Sequence, residues 1–248
     1  GKAETLFRLF SIPYRVVTTI EEAEVLESAK NSFQYITTAF FNQLALSFPS
    51  LNVRELVPLL VGSLDSDESM PNIGSLGFKV ANSIGNLSRG AVKEGFLTII
   101  GEAESTNLSM LIHYSDLLNR NGVETVAILG IGEYGTFKDT RVSPSVMLAE
   151  YLDKQGIRVV INDPHFSREE LESLLPFATC ADLEKGQLSA QAIILMNDQK
   201  AYRSLTSLDL KDIGFFEASI VIDAGGILKE FTFPDNVLYH IPGDGRLQ

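Results

Sequence analysis

Thr125-Val126-Ala127-Ile128-Leu129-Gly130-Ile131-Gly132 decides the fold, because a short run of apolar and β-branched residues leads straight into a glycine turn. An apolar run of this length ending at glycine reads as a β-strand that opens the domain. Further short apolar runs follow at 157–161, 192–196 and 219–222, with a late one at 237–240, and amphipathic helical stretches separate them. That alternation gives an α/β, Rossmann-like parallel domain over residues 123–248. Ser143 as N-cap and Pro144 in the first helical position start the helix after the first strand. Gly156 ends it.

Upstream, the apolar period changes from strand to helix. Val25, Ala29, Phe33, Ile36, Phe40, Leu44 and Phe48 recur every three or four positions, which predicts one long helix over 21–48, stopped by Pro49. A second helix is expected over 53–61, and helical pattern returns over 92–100 and 108–118 before Asn121-Gly122 closes it. Residues 65–90 are rich in Gly, Ser and Asn and read as a loop with room for one short helix. Residues 21–122 are therefore expected to form an all-helical domain. Within 1–20, the stretch 6–11 reads as a helix end and 15–18 as a lone strand, together the remnant or linker of a preceding domain.

Composition narrows the function classes. Hydrophobic residues make up 45% of the 248, enough for a buried core, yet no stretch approaches the ~20 unbroken apolar residues of a membrane span. The apolar start, Thr5-Leu6-Phe7-Arg8-Leu9-Phe10, is interrupted by Arg8 and lacks a signal-peptide pattern, so the expected location is the cytoplasm. A net charge of −12 without clustered Lys and Arg argues against nucleic acid. It leaves a small anionic ligand open, since a few backbone N–H groups and one arginine can hold a phosphate. The single Cys180 cannot form an internal disulfide, and His113, His165 and His240 lack metal-ligand spacing, so no metal is expected.

Gly130-Ile131-Gly132-Glu133-Tyr134-Gly135 matches G-x-G-x-x-G and follows a strand, which makes Gly130 and Gly132 candidates for cofactor binding. In that fingerprint the third glycine lies within the opening helix, whereas here 136–142 intervene before Ser143. A diphosphate cannot then sit in the usual way, and the other reading is a plain glycine turn. The loop also carries Lys138, Asp139, Thr140 and Arg141 just before a helix N-terminus. Arg141 is the best anion-binding candidate, its alternative a salt bridge to Asp139 or to a neighbouring domain. Asp163-Pro164 either meets a ribose hydroxyl or, as favoured, terminates the second strand. Cys180 has no neighbouring His or Lys in sequence and reads as structural.

Taken together, the run from Val126 through Gly130, Lys138, Asp139, Thr140 and Arg141 to Ser143-Pro144, with Gly156 and Asp163-Pro164, resembles the C-terminal domain of UDP-glucose/GDP-mannose dehydrogenases. Glu22-Ala23-Glu24-Val25-Leu26, Asn31-Ser32-Phe33 and Phe41-Asn42-Gln43 resemble the same family's central helical dimerisation domain. The resemblance covers nearly the whole chain and implies a homodimer paired through helix 21–48. It further implies a UDP- or GDP-sugar ligand bound by Asn31, Lys138 and Arg141, with Gly130, Gly132 and Arg141 on the cofactor side. The family's cofactor is NAD and its place polysaccharide biosynthesis. Its N-terminal NAD-binding domain has no counterpart in this sequence, so no cofactor is expected on this chain alone.

The departures from the family bear on catalysis. Its reaction oxidises the sugar C6 hydroxyl twice through a cysteine-bound thiohemiacetal and a thioester, which needs a thiolate. Its cysteine loop falls on 85–94, placing Gly90 where the nucleophile belongs and Glu94 where an aspartate orients water. Glu27 replaces the lysine that precedes Asn31, and Asn72 replaces the arginine before Ile73-Gly74. Tyr134 stands for a lysine, and Asp223-Ala224-Gly225-Gly226 lacks an arginine. Truncating such charged hydrogen bonds costs about 2 to 5 kcal/mol each. The expectation is a catalytically degenerate or truncated relative with no catalytic residue assigned. The alternatives are the C-terminal part of an active NAD-dependent 6-dehydrogenase and a ligand-free scaffold.

Overall fold

A computed structural model describes residues 2–12, 14, 16–61, 73–74, 98–132, 138, 140, 143–183, 188 and 190–246. Among the described residues four helices come first: α1 (Lys2–Leu9), α2 (Ile20–Ser47), α3 (Val53–Val61) and α4 (Thr98–Arg120). The α/β part follows with β1 (Thr125–Leu129), α5 (Pro144–Lys154), β2 (Arg158–Asn162), α6 (Arg168–Leu174) and β3 (Thr179–Cys180). It continues with β4 (Ala192–Leu195), α7 (Lys200–Arg203), α8 (Ser207–Ile213), β5 (Ile220–Asp223) and β6 (Leu238–His240). The expected α/β class with a helical N-terminal part is what forms.

The six strands pair in parallel in the order β3-β2-β1-β4-β5-β6. Strands β1, β4 and β5 are buried along their whole length, as their unbroken apolar runs require. Successive side chains go to opposite faces, so Val126 and Ile128 join one core while Ala127 and Leu129 join the other. The first core includes Leu148 and Leu152 of α5 together with Met110, Tyr114 and Leu118 of α4. Thus α4 is a covering helix of the sheet as well as a member of the helical part.

Helix α2 buries Ser28, Ser32, Tyr35, Ala39, Asn42 and Ala45, one face at three- and four-residue spacing. Ala39 clusters with Ala103, and Asn42 bonds to Asn107, so contacts advance in the same sense along α2 and α4 and the two run parallel. Small residues let the helices approach closely, and the Asn42 Nδ2 to Asn107 Oδ1 bond of 2.9 Å satisfies polar atoms sealed between them.

Several expectations need correction. Val16 and Val17 form no strand, despite the β-propensity of this segment. Thr19 caps α2 in a reciprocal box with Glu22, whose carboxylate also accepts from Thr18 N and Oγ at 2.7 and 2.5 Å. The two helical patterns expected on either side of 101–107 are one uninterrupted helix from Thr98. The two-residue β3 was not anticipated, being too short to show a period. Apart from Ile73 and Gly74, which form a buried turn, the expected loop at 65–90 lies outside the described residues, as do the start of the 92–100 helix and Asn72, Gly90, Glu94, Tyr134 and Arg141.

Candidate functional site

The strand order reverses between β1 and β4, and the loops at their carboxyl ends form the crevice where open α/β sheets receive ligands. Gly130 opens that crevice with φ of +90°, a left-handed conformation that side chains resist. The side chain of Asn197, just after β4, lies directly over it, so a Cβ on residue 130 would come within 2.1 Å of Asn197 Oδ1. Glycine is required there for a packing reason, independent of any ligand.

The turn's hydrogen bonds can be accounted for completely as far as it is described. Gly130 N donates to Asn162 O at 2.9 Å, extending the β1–β2 ladder. Ile131 N and Gly132 N both donate to Asp163 Oδ2, at 2.8 and 2.9 Å. Gln199 Nε2 donates to the same oxygen at 2.9 Å, and His165 N donates to Oδ1 at 2.9 Å. On the acceptor side, Ser145 Oγ donates to Gly130 O and Ser143 Oγ to Ile131 O, both at 2.5 Å, while Asn197 Nδ2 donates to Gly132 O at 2.7 Å. Asp163 is 2% exposed. Its carboxylate therefore occupies the concavity of amides that a nucleotide phosphate uses in the dinucleotide fingerprint. An NAD diphosphate does not fit this turn while Asp163 holds both amides.

Of the substrate-side candidates, Lys138 is tied to Glu170 at the start of α6, with Nζ 2.8 and 2.6 Å from its two oxygens. The ammonium also lies 5.5 Å from the centre of the Phe166 ring. Lys138, Gly130 and Gly132 thus all belong to the β1–α5 connection, with Asp163 and Glu170 as their acidic partners. Asn31 stands on the other part of the molecule: on α2 its Nδ2 donates to Glu27 Oε1 at 3.4 Å. It lies roughly 22 Å up the helix from Leu46, the α2 residue that packs on the sheet's core, at 1.5 Å per residue. Next to the turn, the carboxyl ends of β2 and β3 open into a cleft of about 770 Å³ bordered by Phe166, Arg168, Asp182, Tyr202 and Asp212.

Arg54 joins the two parts and was missed by sequence reasoning. From α3 its Nε donates to Pro242 O at 2.7 Å, and its Nη2 donates to Ile73 O at 2.9 Å and Ala224 O at 2.7 Å. Burial lowers the pKa of this guanidinium, an effect the nearby Asp223 and Asp244 carboxylates oppose. Gly74 is anchored alongside: its N donates to Asn42 Oδ1 at 2.8 Å and its O accepts from Tyr114 at 2.6 Å. The acceptors of Arg54 are distributed over residues 73, 224 and 242, so no local pattern could have announced it. Cys180 is buried, its thiol pushed up by that burial and 3.8 Å from Arg168 O. Among the described residues no group of three or more His, Cys, Asp or Glu is placed to hold a metal ion. No described helix is long and apolar enough to cross a membrane.

Comparison with known proteins agrees with this architecture. Residues 127–230 match the model of the UDP-glucose/GDP-mannose dehydrogenase family, UDP binding domain. No curated protein matches the sequence. The solved UDP-D-ManNAc dehydrogenase from Pyrococcus horikoshii is similar with a TM-score of 0.73 at 25% identity, over 98% of this chain and 57% of that one. A UDP-glucose dehydrogenase from the hyperthermophilic archaeon Pyrobaculum islandicum gives 0.69 at 18% identity, over 98% and 56%. An NDP-N-acetyl-D-galactosaminuronic acid dehydrogenase from Methanosarcina mazei gives 0.63 at 24%, over 90% and 51%. These last two likenesses show the shared fold, and the chain spans little more than half the length of each structure. Through residues 127–230, the α/β part of this chain is similar to the UDP binding domain of the UDP-glucose/GDP-mannose dehydrogenase family.

Proposed function

We propose that this chain is a dimerising, catalytically degenerate relative of the nucleotide-sugar dehydrogenases, whose α/β part takes a UDP- or GDP-sugar through Lys138 and Arg141. The observation that carries the loss of catalysis is the pairing of Asn31 with Glu27 on α2. Where the family resemblance puts a lysine one helical turn before the asparagine, this chain has a carboxylate in hydrogen-bond reach of it. A carboxylate cannot stabilise the negative charge that develops on a substrate oxygen. Cys180, buried with a raised thiol pKa, is likewise unsuited to act as the thiolate that the family's two oxidations require. NAD, the family's cofactor, is not assigned to the Gly130 turn, because Asp163 fills it. Assay of the natural gene product with NAD and UDP-glucose, UDP-N-acetyl sugars or GDP-mannose is expected to yield no NADH. Sustained NADH production would establish the active dehydrogenase in place of this reading.

Ligand binding and pairing are tested separately. Calorimetric titration with UDP, GDP and their sugars is expected to show binding that Arg141→Ala abolishes, whereas no binding at all would leave a scaffold. Leu26, Phe33 and Phe40 stand seven residues apart on α2 and are 59%, 52% and 51% exposed, so large apolar side chains recur along one face. A two-fold contact between copies of α2 would bury them. Light scattering after size exclusion is expected to give a dimer at micromolar concentration, and Phe33→Glu with Phe40→Glu a folded monomer. A monomeric wild-type protein would rule out the pairing.

A further inference from the structure

His113, on α4 in the helical part, and His240, the last residue of β6 in the α/β part, meet across the seam between them. Their Nε2 atoms are 3.5 Å apart and their rings cross at 64° with centroids 5.6 Å apart. At that separation a hydrogen bond between the rings requires one Nε2 to carry a proton and the other to be bare, so it cannot form when both rings are protonated. His240 is 5% exposed. The pair borders a cavity of about 50 Å³. We propose that the His113–His240 contact is an acid-sensitive latch, which holds the helical part against the α/β part while the rings are neutral and loosens when they take up protons.

The charges around the pair favour release rather than tolerance of protons. Arg54 of α3 and Arg120 of α4 repel a charged ring, and Arg246 lies beside the same cavity. Opposing them are Asp116 of α4 and Asp244, whose Oδ2 already lies 3.2 Å from Arg246 Nε. Helix α2 supplies only the apolar Ala45 and Leu46 to this cavity, with no charge of either sign. Two protonated rings would present two N–H groups to each other with no acceptor between them. Burial, seconded by His113 and Arg54, lowers His240 to about 3, and burial also lowers His113.

The direction of the pH response follows from these shifts. A histidine freed at the open seam returns to an ordinary pKa near 6.5, so opening takes up protons. The closed seam is fully favoured above about pH 6.5 and loses ground as the pH falls below it. For a ring that stays neutral when closed, opening at pH 5 is favoured roughly 30-fold over neutral pH.

Amide hydrogen exchange of the whole chain at pH 7.5 and 5, corrected for the intrinsic rate, reads this directly. Seam amides of Tyr114 and Ile241 are expected to open roughly 30-fold more at pH 5, while those of β4 change little. The double variant His113→Phe with His240→Phe is expected to flatten the response. Should that variant fail to fold, His113→Gln offers an uncharged amide in reach of His240 and is expected to reduce it. Equal seam opening at the two pH values, or an undiminished response in the variant, would overturn the latch.

Discussion

Strands β1, β4 and β5 of the α/β part are buried from end to end, with polar side chains gathered into the loops at their carboxyl ends. Helices α2 and α4 sort their side chains less cleanly, burying polar groups beside Tyr35, Phe41, Met110 and Tyr114. They bury Ser28, Ser32, Thr38, Asn42, Asn107 and Ser115, and leave Leu26, Phe33 and Phe40 in the open. Each buried aliphatic or aromatic side chain contributes about 1.5 to 3 kcal/mol, whereas a paired polar contact contributes about 1. The sheet therefore holds itself together, and its loops are fixed as a consequence. The helical part draws stability from α4's seat on the sheet and, in the proposed dimer, from burial of those exposed apolar side chains.

The largest test of this contrast is Asp163→Ala. It strips the acceptor from Ile131 N, Gly132 N, Gln199 Nε2 and His165 N in a site closed to solvent. Leaving buried donors unpaired costs about 1 to 3 kcal/mol apiece, partly recovered by entering water, so a loss of about 4 kcal/mol is expected in chemical denaturation. A loss below about 1 kcal/mol would mean that the glycine turn is not held by this carboxylate. The second is Gly130→Ala, which adds left-handed strain to a collision with Asn197 and is expected to cost about 3 kcal/mol. Combining it with Asn197→Gly should cost less than the sum of the two single changes.

These two residues also show how far the sequence is legible. Gly130 was readable as a turn, and the apolar runs placed four central elements of the sheet within a residue or so, because burial on both faces leaves a strong local signature. Ser143 and Gly156 delimit α5 for equally local reasons: one accepts from Val146 N, and the other sits at φ of +81°. What the amides of the turn bind could not be read, since Asp163 lies at the end of the neighbouring strand and reaches them only through β1–β2 pairing. Arg54 escaped for the same reason. The β-branched residues before α2 misled because Thr19 and Glu22 use one as a cap, a short pattern that outcompetes strand propensity where no partner strand is at hand.

In the helical part, Asn42→Ala is expected to cost about 2 kcal/mol, since it removes the donor to Asn107 Oδ1 and the acceptor of Gly74 N together. The effect should be local: exchange protection is lost around Asn107 and Gly74 while β4 and β5 keep theirs. Simultaneous melting of the sheet would show that the two parts unfold as one unit and erase the contrast.

Lys138→Ala should have the smallest effect on folding. Lys138 and Glu170 are both about half exposed, so water screens their ion pair, and two long side chains must be ordered to make it. Glu170 also stays in place without the lysine, because its Oε2 accepts from Ser167 N at 2.7 Å in the cap of α6. Thermal unfolding of the variant is therefore expected to match the wild type at any salt concentration. Calorimetry with UDP-sugar gives the complementary reading: if the ammonium leaves Glu170 to meet a phosphate, affinity falls in the variant and becomes less sensitive to salt. An unchanged affinity together with a lowered melting temperature would assign Lys138 to the fold, as part of the apparatus that closes the sheet's carboxyl edge.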